Sequence, residues 1–249
     1  VNVIEEVGKY HDYAVSMRRE FHKHPELSWK EVETAGRIRD ELAGMGIPYE
    51  EVAGTGTIAT LKGKEDQPVI GLRCDIDALP IREVKNLPYC SQNQGVMHAC
   101  GHDAHISMLL TAARVLAEHR DELKCTVKLI FQPAEELTNG AVKVLESGMV
   151  GKLDTVAGMH IFPYLESGTI SVDPGPRYTS ASFMNIKIIG KSGHGAMPQY
   201  AVDPIYVGAK VVDALQSIAS RETSPMDTVV VSICTFHSGT MANVFCRDG

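Results

Sequence analysis

The spacing of apolar and polar positions divides the chain into helical and strand-like stretches. In residues 1–23, Ile4, Val7, Ala14, Met17 and Phe21 recur near helical spacing with charges between them, predicting one amphipathic helix. His24-Pro25 ends it, because a proline disfavours helical backbone at the residue before it. Ser28 and Glu31 then carry the signature of a capping box, with Leu27 and Val32 placed for a hydrophobic staple. The helix they open has Val32, Ala35, Ile38, Leu42 and Met45 on one face and stops at Gly44 and Gly46. Strand-like runs follow at 57–61 and 69–74, the second leading into Asp75-Ile76-Asp77. A helix is predicted over 103–118, with Ile106, Leu109, Leu110, Ala113 and Leu116 on one side. Beyond it lie a strand at 125–131, a short helix at 141–146 and a strand at 155–160. Helices alternating with strands, some almost wholly apolar, predict an α/β sheet covered on both faces.

A second pattern begins after the Pro/Gly-rich stretch Asp173-Pro174-Gly175-Pro176, which reads as a hinge. Residues 182–189 alternate like a strand, 204–219 are helical, and 228–236 are strongly β-branched. The expected division is a first domain over 1–178 and a second, β-α-β domain over 179–249.

Composition narrows the classes of function. With 249 residues, 44% hydrophobic and 22% charged, the chain is ordinary folded protein. Lys and Arg number 24 against 31 Asp and Glu, a formal charge of −7 with no basic run, so neither nucleic acid nor an anionic membrane is an expected partner. No apolar stretch approaches the roughly 18 residues of a membrane span. The N-terminal stretch VNVIEEVGKYHDY is acidic where a secretory signal would be basic, so no export signal is expected, and a start at Val1 is consistent with trimming. The six cysteines, at 74, 90, 100, 125, 234 and 246, form no C-x-x-C pair. Scattered in this way, they fit reduced thiols and a cytoplasmic location.

Chemistry-bearing side chains gather at the C-terminal ends of the predicted strands. Asp75 and Asp77 close one strand, Glu135 and Glu136 follow another, and His160 ends a third. His98, Cys100, His102, Asp103 and His105 crowd together before a helix. In open α/β sheets that edge is where ligands bind. Imidazole, carboxylate and thiolate together suit a divalent ion such as Zn²⁺ or Mn²⁺. Of two adjacent glutamates, one can bind metal while the other serves as general base. Taken singly, each feature has a plainer reading: a satisfied core histidine, a solvated glutamate pair, an Asp-x-Asp loop. Cys100 with His102 also leaves a cysteine nucleophile open, although spacing gives no usable base geometry.

These segments resemble the M20 metallopeptidase family, in particular its amidohydrolase branch of N-acyl-amino-acid, hippurate and auxin-conjugate hydrolases. The matching blocks are RREFHKHPELSWKEVET (18–34), GLRCDIDALPI (71–81), MHACGHDAHISMLL (97–110), IFQPAEE (130–136), GMHIFP (158–163), GKSGHGAMP (190–198) and FHSGTMANV (236–244). The resemblance implies a zinc-exopeptidase-like α/β catalytic domain with a mixed sheet flanked by helices. It further implies an inserted ferredoxin-like α+β domain serving as lid and dimerisation surface. It implies a binuclear site of two divalent ions, Zn²⁺ or Mn²⁺ foremost and Co²⁺ or Ni²⁺ as alternatives, with Cys100, His102, Glu136 and His160 as ligands. Cys100 would bridge the ions, Glu135 would be the general acid/base, and Asp77 would orient a ligand. Asp75 stands where other branches carry a ligand histidine and is not counted as one; a carboxylate there would fix an imidazole's tautomer.

In the second domain, His194 corresponds to a lid histidine that stabilises the oxyanion across a homodimer, and Asn243 to an asparagine that contacts substrate. The plainer readings are a turn residue and a polar loop residue. The implied substrate is an N-acyl amino acid or related small conjugate. Dipeptidase or carboxypeptidase activity is the alternative within the family. Family members are longer, and the proline expected where Cys246 stands is absent. The resemblance therefore implies a C-terminally truncated chain lacking a final histidine ligand. A catalytically incomplete fragment is the alternative outside the enzyme class.

Overall fold

The computed structural model describes residues 2–247 and separates into two compact units, with the division between Gly175 and Pro176. The first unit holds, in chain order, α1 (Val3–Gly8), α2 (His11–Lys23), α3 (Val32–Gly44), β1 (Tyr49–Val52), β2 (Gly56–Lys62), β3 (Val69–Asp75), α4 (His102–Glu118), β4 (Thr126–Gln132), α5 (Gly140–Glu146) and β5 (Thr155–Gly158). Its strands form one mixed sheet in the order β1-β2-β4-β3-β5. The β1/β2 and β2/β4 pairs are antiparallel, and β3 pairs in parallel with both β4 and β5.

Both faces of that sheet are covered, as the apolar strands predicted. On one face Phe21, Ile38, Leu42, Ile106 and Leu110 from α2, α3 and α4 pack with Leu61, Leu129 and Phe131. On the other, Val144 of α5 and Val150 pack on Val52, Ile58 and Ile130. The parallel strands matter most for the site, because β3, β4 and β5 deliver their C-terminal ends to the same edge of the sheet.

Several expectations need correction. The predicted helix over 1–23 is two helices, separated at Lys9-Tyr10. Gly8 is a weak helix former, and α1 buries no residue that would hold it to the core. The capping box at Ser28 does not form, since α3 starts at Val32. Ser28 Oγ donates instead to Asp77 Oδ2, at 2.7 Å. The second and third amides of α3, those of Glu33 and Thr34, donate to the Glu26 carboxylate at 3.3 and 2.8 Å, so a more distant side chain does the capping. Val32 is 67% exposed and staples nothing. Strand β1 was not expected from its sequence, YEEV; it exists by pairing with β2 across a turn in which Ala53 and Gly54 are left-handed.

The second unit contains β6 (Gly193–His194), α6 (Pro204–Ser217) and β7 (Val244–Phe245). Helix α6 begins as its sequence predicts, with Pro204 in the first turn and Asp203 Oδ1 accepting from the Ile205 amide at 2.9 Å. The expected strands over 182–189 and 228–236 form no ladder among the described residues beyond a single bridge at Ile189. A strand requires a paired neighbour, and β propensity alone does not supply one. These stretches lie against α6 instead: a Cβ on Gly208 would meet the Phe236 ring at 2.7 Å and Ile188 Cδ1 at 3.3 Å. Among the described residues no helix is long and apolar enough to cross a membrane.

Glu31 is the most consequential element of the first unit that sequence patterning misplaced. It is fully buried, accepting from the Ala134 amide at 2.8 Å and from Thr55 Oγ1 at 2.7 Å. Substitution Glu31→Ala leaves the buried Ala134 amide and the half-buried Thr55 hydroxyl without their acceptor and is expected to cost about 1–3 kcal/mol in denaturant unfolding. The neighbouring Val32→Ala, at an exposed position, should change stability by less than about 0.5 kcal/mol.

Candidate metal centre

Three turns meet at the C-terminal edge of the parallel strands. Just beyond β3, Asp77 is buried and central. Its Oδ1 accepts from the Glu135 amide and its Oδ2 from the Glu136 amide, each at 3.0 Å. With Glu31 holding the preceding amide, three successive N–H groups of the turn after β4 are claimed by two buried carboxylates. Ala134 sits there at φ +48°, in the left-handed region, which swings both glutamates toward the edge.

Helix α4 starts at the same place, with Gly101 at φ +88° immediately before it. His102, in its first turn, is fully buried, and its Nδ1 donates to the Asp77 carbonyl oxygen at 2.8 Å. That bond directs Nε2 into the site, where it lies 3.8 Å from Glu136 Oε1, 3.9 Å from Glu135 Oε2 and 3.6 Å from Asp75 Oδ1. The third segment follows β5. His160 Nδ1 donates to the Ile161 carbonyl at 2.6 Å, which leaves Nε2 facing Cys100 Sγ at 3.3 Å. The strand itself ends at Gly158, two residues earlier than the expected strand over 155–160.

The six residues expected at this centre are therefore brought together. Donor atoms of Cys100, His102 and His160 lie within 4.8 Å of one another, as do those of His102, Glu135 and Glu136, with His102 common to both groups. Whether this donor set suits a cation is answered by two atoms. His102 Nε2 and Glu136 Oε1 are both buried and without a hydrogen-bond partner, an expensive arrangement unless something positive lies between them. The protonation behaviour agrees. Burial opposes a charge on His102, yet the Asp77 hydrogen bond, Cys100 and Asp75 outweigh it and raise its pKa to about 11. Burial and the neighbouring Glu135 charge push the Glu136 carboxyl up despite His102 nearby. This pocket gathers enough negative charge to hold a proton tightly, and a divalent ion satisfies the same demand with better-matched ligands.

Asp75 is not part of the expected ligand set, and the structure gives it another task. Its Oδ1 accepts from His105 Nδ1 at 2.6 Å, and its Oδ2 accepts from Arg73 Nη1 at 2.8 Å. Burial raises its pKa, but His105, His102 and Arg73 more than compensate and hold the carboxyl well below the usual carboxylate range. Asp77 is held low in the same manner: burial opposes, and His102, Ser28 and the Glu136 amide prevail. The orienting role of Asp77 was legible from sequence, whereas its grip on two backbone amides was not. His105 was visible only as one histidine of a crowded segment.

A second buried network lies behind the first turn of α4. Asp103 Oδ2 accepts from His22 Nδ1 at 2.7 Å and from Arg18 Nε at 2.9 Å. His22 Nε2 is 3.3 Å from Glu83 Oε1. This fastens α2 to the helix that carries His102.

His194 and Asn243 belong to the second unit and are neighbours there. His194 pairs with Val244 across the β6/β7 ladder, and the Gly195 amide donates to the Asn243 carbonyl at 2.8 Å. His194 Nδ1 accepts from the Ala196 amide at 3.1 Å.

Comparison with known proteins places this geometry. Residues 71–245 match the model of peptidase family M20/M25/M40. The chain is 46% identical over 237 residues to N-acetylcysteine deacetylase of Bacillus subtilis, covering 94% of this chain and 62% of that protein. It is 42% identical to IAA-amino acid hydrolase ILR1-like 4 of Arabidopsis thaliana, covering 94% of this chain and 53% of the relative. Among solved structures it is similar to the Bacillus subtilis YXEP protein, a dinuclear metal binding peptidase from the M20 family. The TM-score is 0.72 at 41% identity, covering 97% of this chain and 62% of that one. The chain thus spans between about half and two thirds of the length of the relatives it matches. The chain belongs to peptidase family M20/M25/M40.

Proposed function

We propose that this chain forms the metal-binding part of an amidohydrolase that cleaves the amide bond of N-acyl amino acids or related small conjugates. The observation that carries the reading is the buried pair His102 Nε2 and Glu136 Oε1, without hydrogen-bond partners and flanked by Cys100, His160 and the Glu135 carboxylate. The names of the relatives, a deacetylase of N-acetylcysteine and a hydrolase of IAA-amino acids, support the substrate class. The dinuclear metal binding YXEP protein supports two ions, and thiolate, imidazole and carboxylate donors together suit Zn²⁺ or Mn²⁺.

Cys100, His102, Glu136 and His160 would hold the ions. When bound, such ions polarise the substrate carbonyl and bring the pKa of a water from ~16 toward ~7. The chain's own groups do the rest. Asp77 fixes the Glu135 backbone while leaving its side chain 40% exposed and free to move a proton. Glu135 takes a proton from the attacking water as the oxygen adds to the amide carbon. It returns that proton to the departing nitrogen as the C–N bond breaks, yielding a carboxylic acid and an amine. His194 stabilises the oxyanion, and Asn243 contacts the substrate. The region from residue 179 serves as a ferredoxin-like lid that pairs two copies into a homodimer, its support being the family membership and the exposed apolar residues Phe183, Met184 and Val230. A cytoplasmic location fits the six free cysteines.

Two measurements test this. Glu135→Gln should lower turnover of an N-acyl amino acid by roughly 10²–10⁴-fold while the bound metal, counted by atomic emission, is unchanged. Retention of full activity would remove Glu135 from the mechanism. Asp77→Ala removes the acceptor of both glutamate amides and of Ser28 while keeping the carbonyl that holds His102. It should weaken metal binding by roughly 10–100-fold in a chelator competition, and unaltered affinity would contradict the role given to Asp77.

A further inference from the structure

Among the four proposed ligands, His160 has the least support from regular structure. Among the described residues strand β5 pairs with β3, and it ends at Gly158. No ladder holds residues 159–162. Yet His160 Nε2 meets Cys100 closely, so something other than the sheet fixes its backbone.

Two independent contacts seat this segment on the start of α4. The Ile161 amide, next in the chain to His160, donates to His105 Nε2 at 3.0 Å. The Ile161 side chain also lies where a Cβ on Gly101 would be, so only glycine at 101 lets the segment approach so closely. His105 is itself locked. Its Nδ1 donates to Asp75, Asp75 accepts from Arg73, and Arg73 Nε and Nη2 donate to Gln132 Oε1 at 2.9 and 2.7 Å. The relay runs from the end of β4 through β3 to the helix and then to the loop after β5.

His105 also lies with Asp75 and His102 in a group of three ligand-type side chains. Both its ring nitrogens are engaged, however, and the lone pair on Nε2 is already taken by the Ile161 amide. We propose that His105 is a positioning residue, not a ligand: it fixes the Ile161 backbone and thereby holds His160 in place for the ion it shares with Cys100. This rests on the metal-centre reading above.

Glutamine and asparagine separate the two ends of the relay. His105→Gln places an acceptor near the position of Nε2 and gives up the Asp75 contact. His105→Asn keeps a donor near the position of Nδ1 and gives up the acceptor for Ile161. Two readouts are needed on the 249-residue chain. The first is exchange of the Ile161 amide proton by NMR without metal. The second is titration with Co²⁺, followed by the thiolate-to-cobalt charge-transfer absorption.

In wild type and His105→Gln the Ile161 amide should be protected and cobalt affinity similar. In His105→Asn protection should be lost and cobalt affinity weakened by roughly 10–100-fold. An Asn variant that keeps Ile161 protection, or that binds cobalt as wild type does, overturns the proposal, as does a Gln variant that fails as badly as Asn. Absence of cobalt binding by the wild-type chain, with Ile161 still protected through His105, would instead defeat the metal-centre reading and leave the tether standing as backbone structure alone.

Discussion

The site depends on how two buried carboxylates are used. Glu31 and Asp77 take hydrogen bonds from three successive amides after β4, those of Ala134, Glu135 and Glu136. Buried amides must be paired, and ordinary turns pair them with carbonyls or water. Here the acceptors are carboxylates supplied from just before α3 and just after β3. The turn is therefore locked to both elements, and the side chains of Glu135 and Glu136 are left clear of these bonds.

Asp77 extends the same economy to the imidazole. Its carbonyl oxygen holds His102 Nδ1, while its carboxylate holds the glutamate turn and Ser28. One residue thus sets the relative placement of the His102 imidazole and of the Glu135 and Glu136 side chains. The remaining segment, after the edge strand β5, lacks that support and is secured through His105 and the glycine at 101. The division follows from topology. Asp77 follows β3 and the two glutamates follow β4, within reach of buried carboxylates, whereas His160 lies two residues beyond the end of β5.

Much of this was legible in the sequence, for identifiable reasons. Apolar periodicity located α3, α4 and the central strands because each has one continuous face or run to bury. The chemistry-bearing residues were visible because they stand at the ends of predicted strands or, for Cys100 and His102, crowd together just before a predicted helix. Long-range uses of polar groups were not visible. Glu31 looked like half of a capping box, and only the fold shows that it reaches across to Ala134. Ser28 has the type and spacing of a cap, yet spends its hydroxyl on Asp77. The β-branched run at 228–236 and the alternation at 182–189 had strand character but no neighbouring strand to pair with among the described residues. Periodicity reports which face is apolar; it carries no information about which distant amide a carboxylate will meet.

The proposed metal centre stands on two atoms, His102 Nε2 and Glu136 Oε1, both buried and without a hydrogen-bond partner. Anomalous diffraction from crystals of the Zn²⁺-loaded chain reads out what lies between them. The expected result is a peak within coordination distance of both atoms, with Cys100 Sγ and His160 Nε2 closing the same centre. Density for a water or a repacked side chain joining those two atoms, with zinc bound elsewhere or not at all, would contradict it.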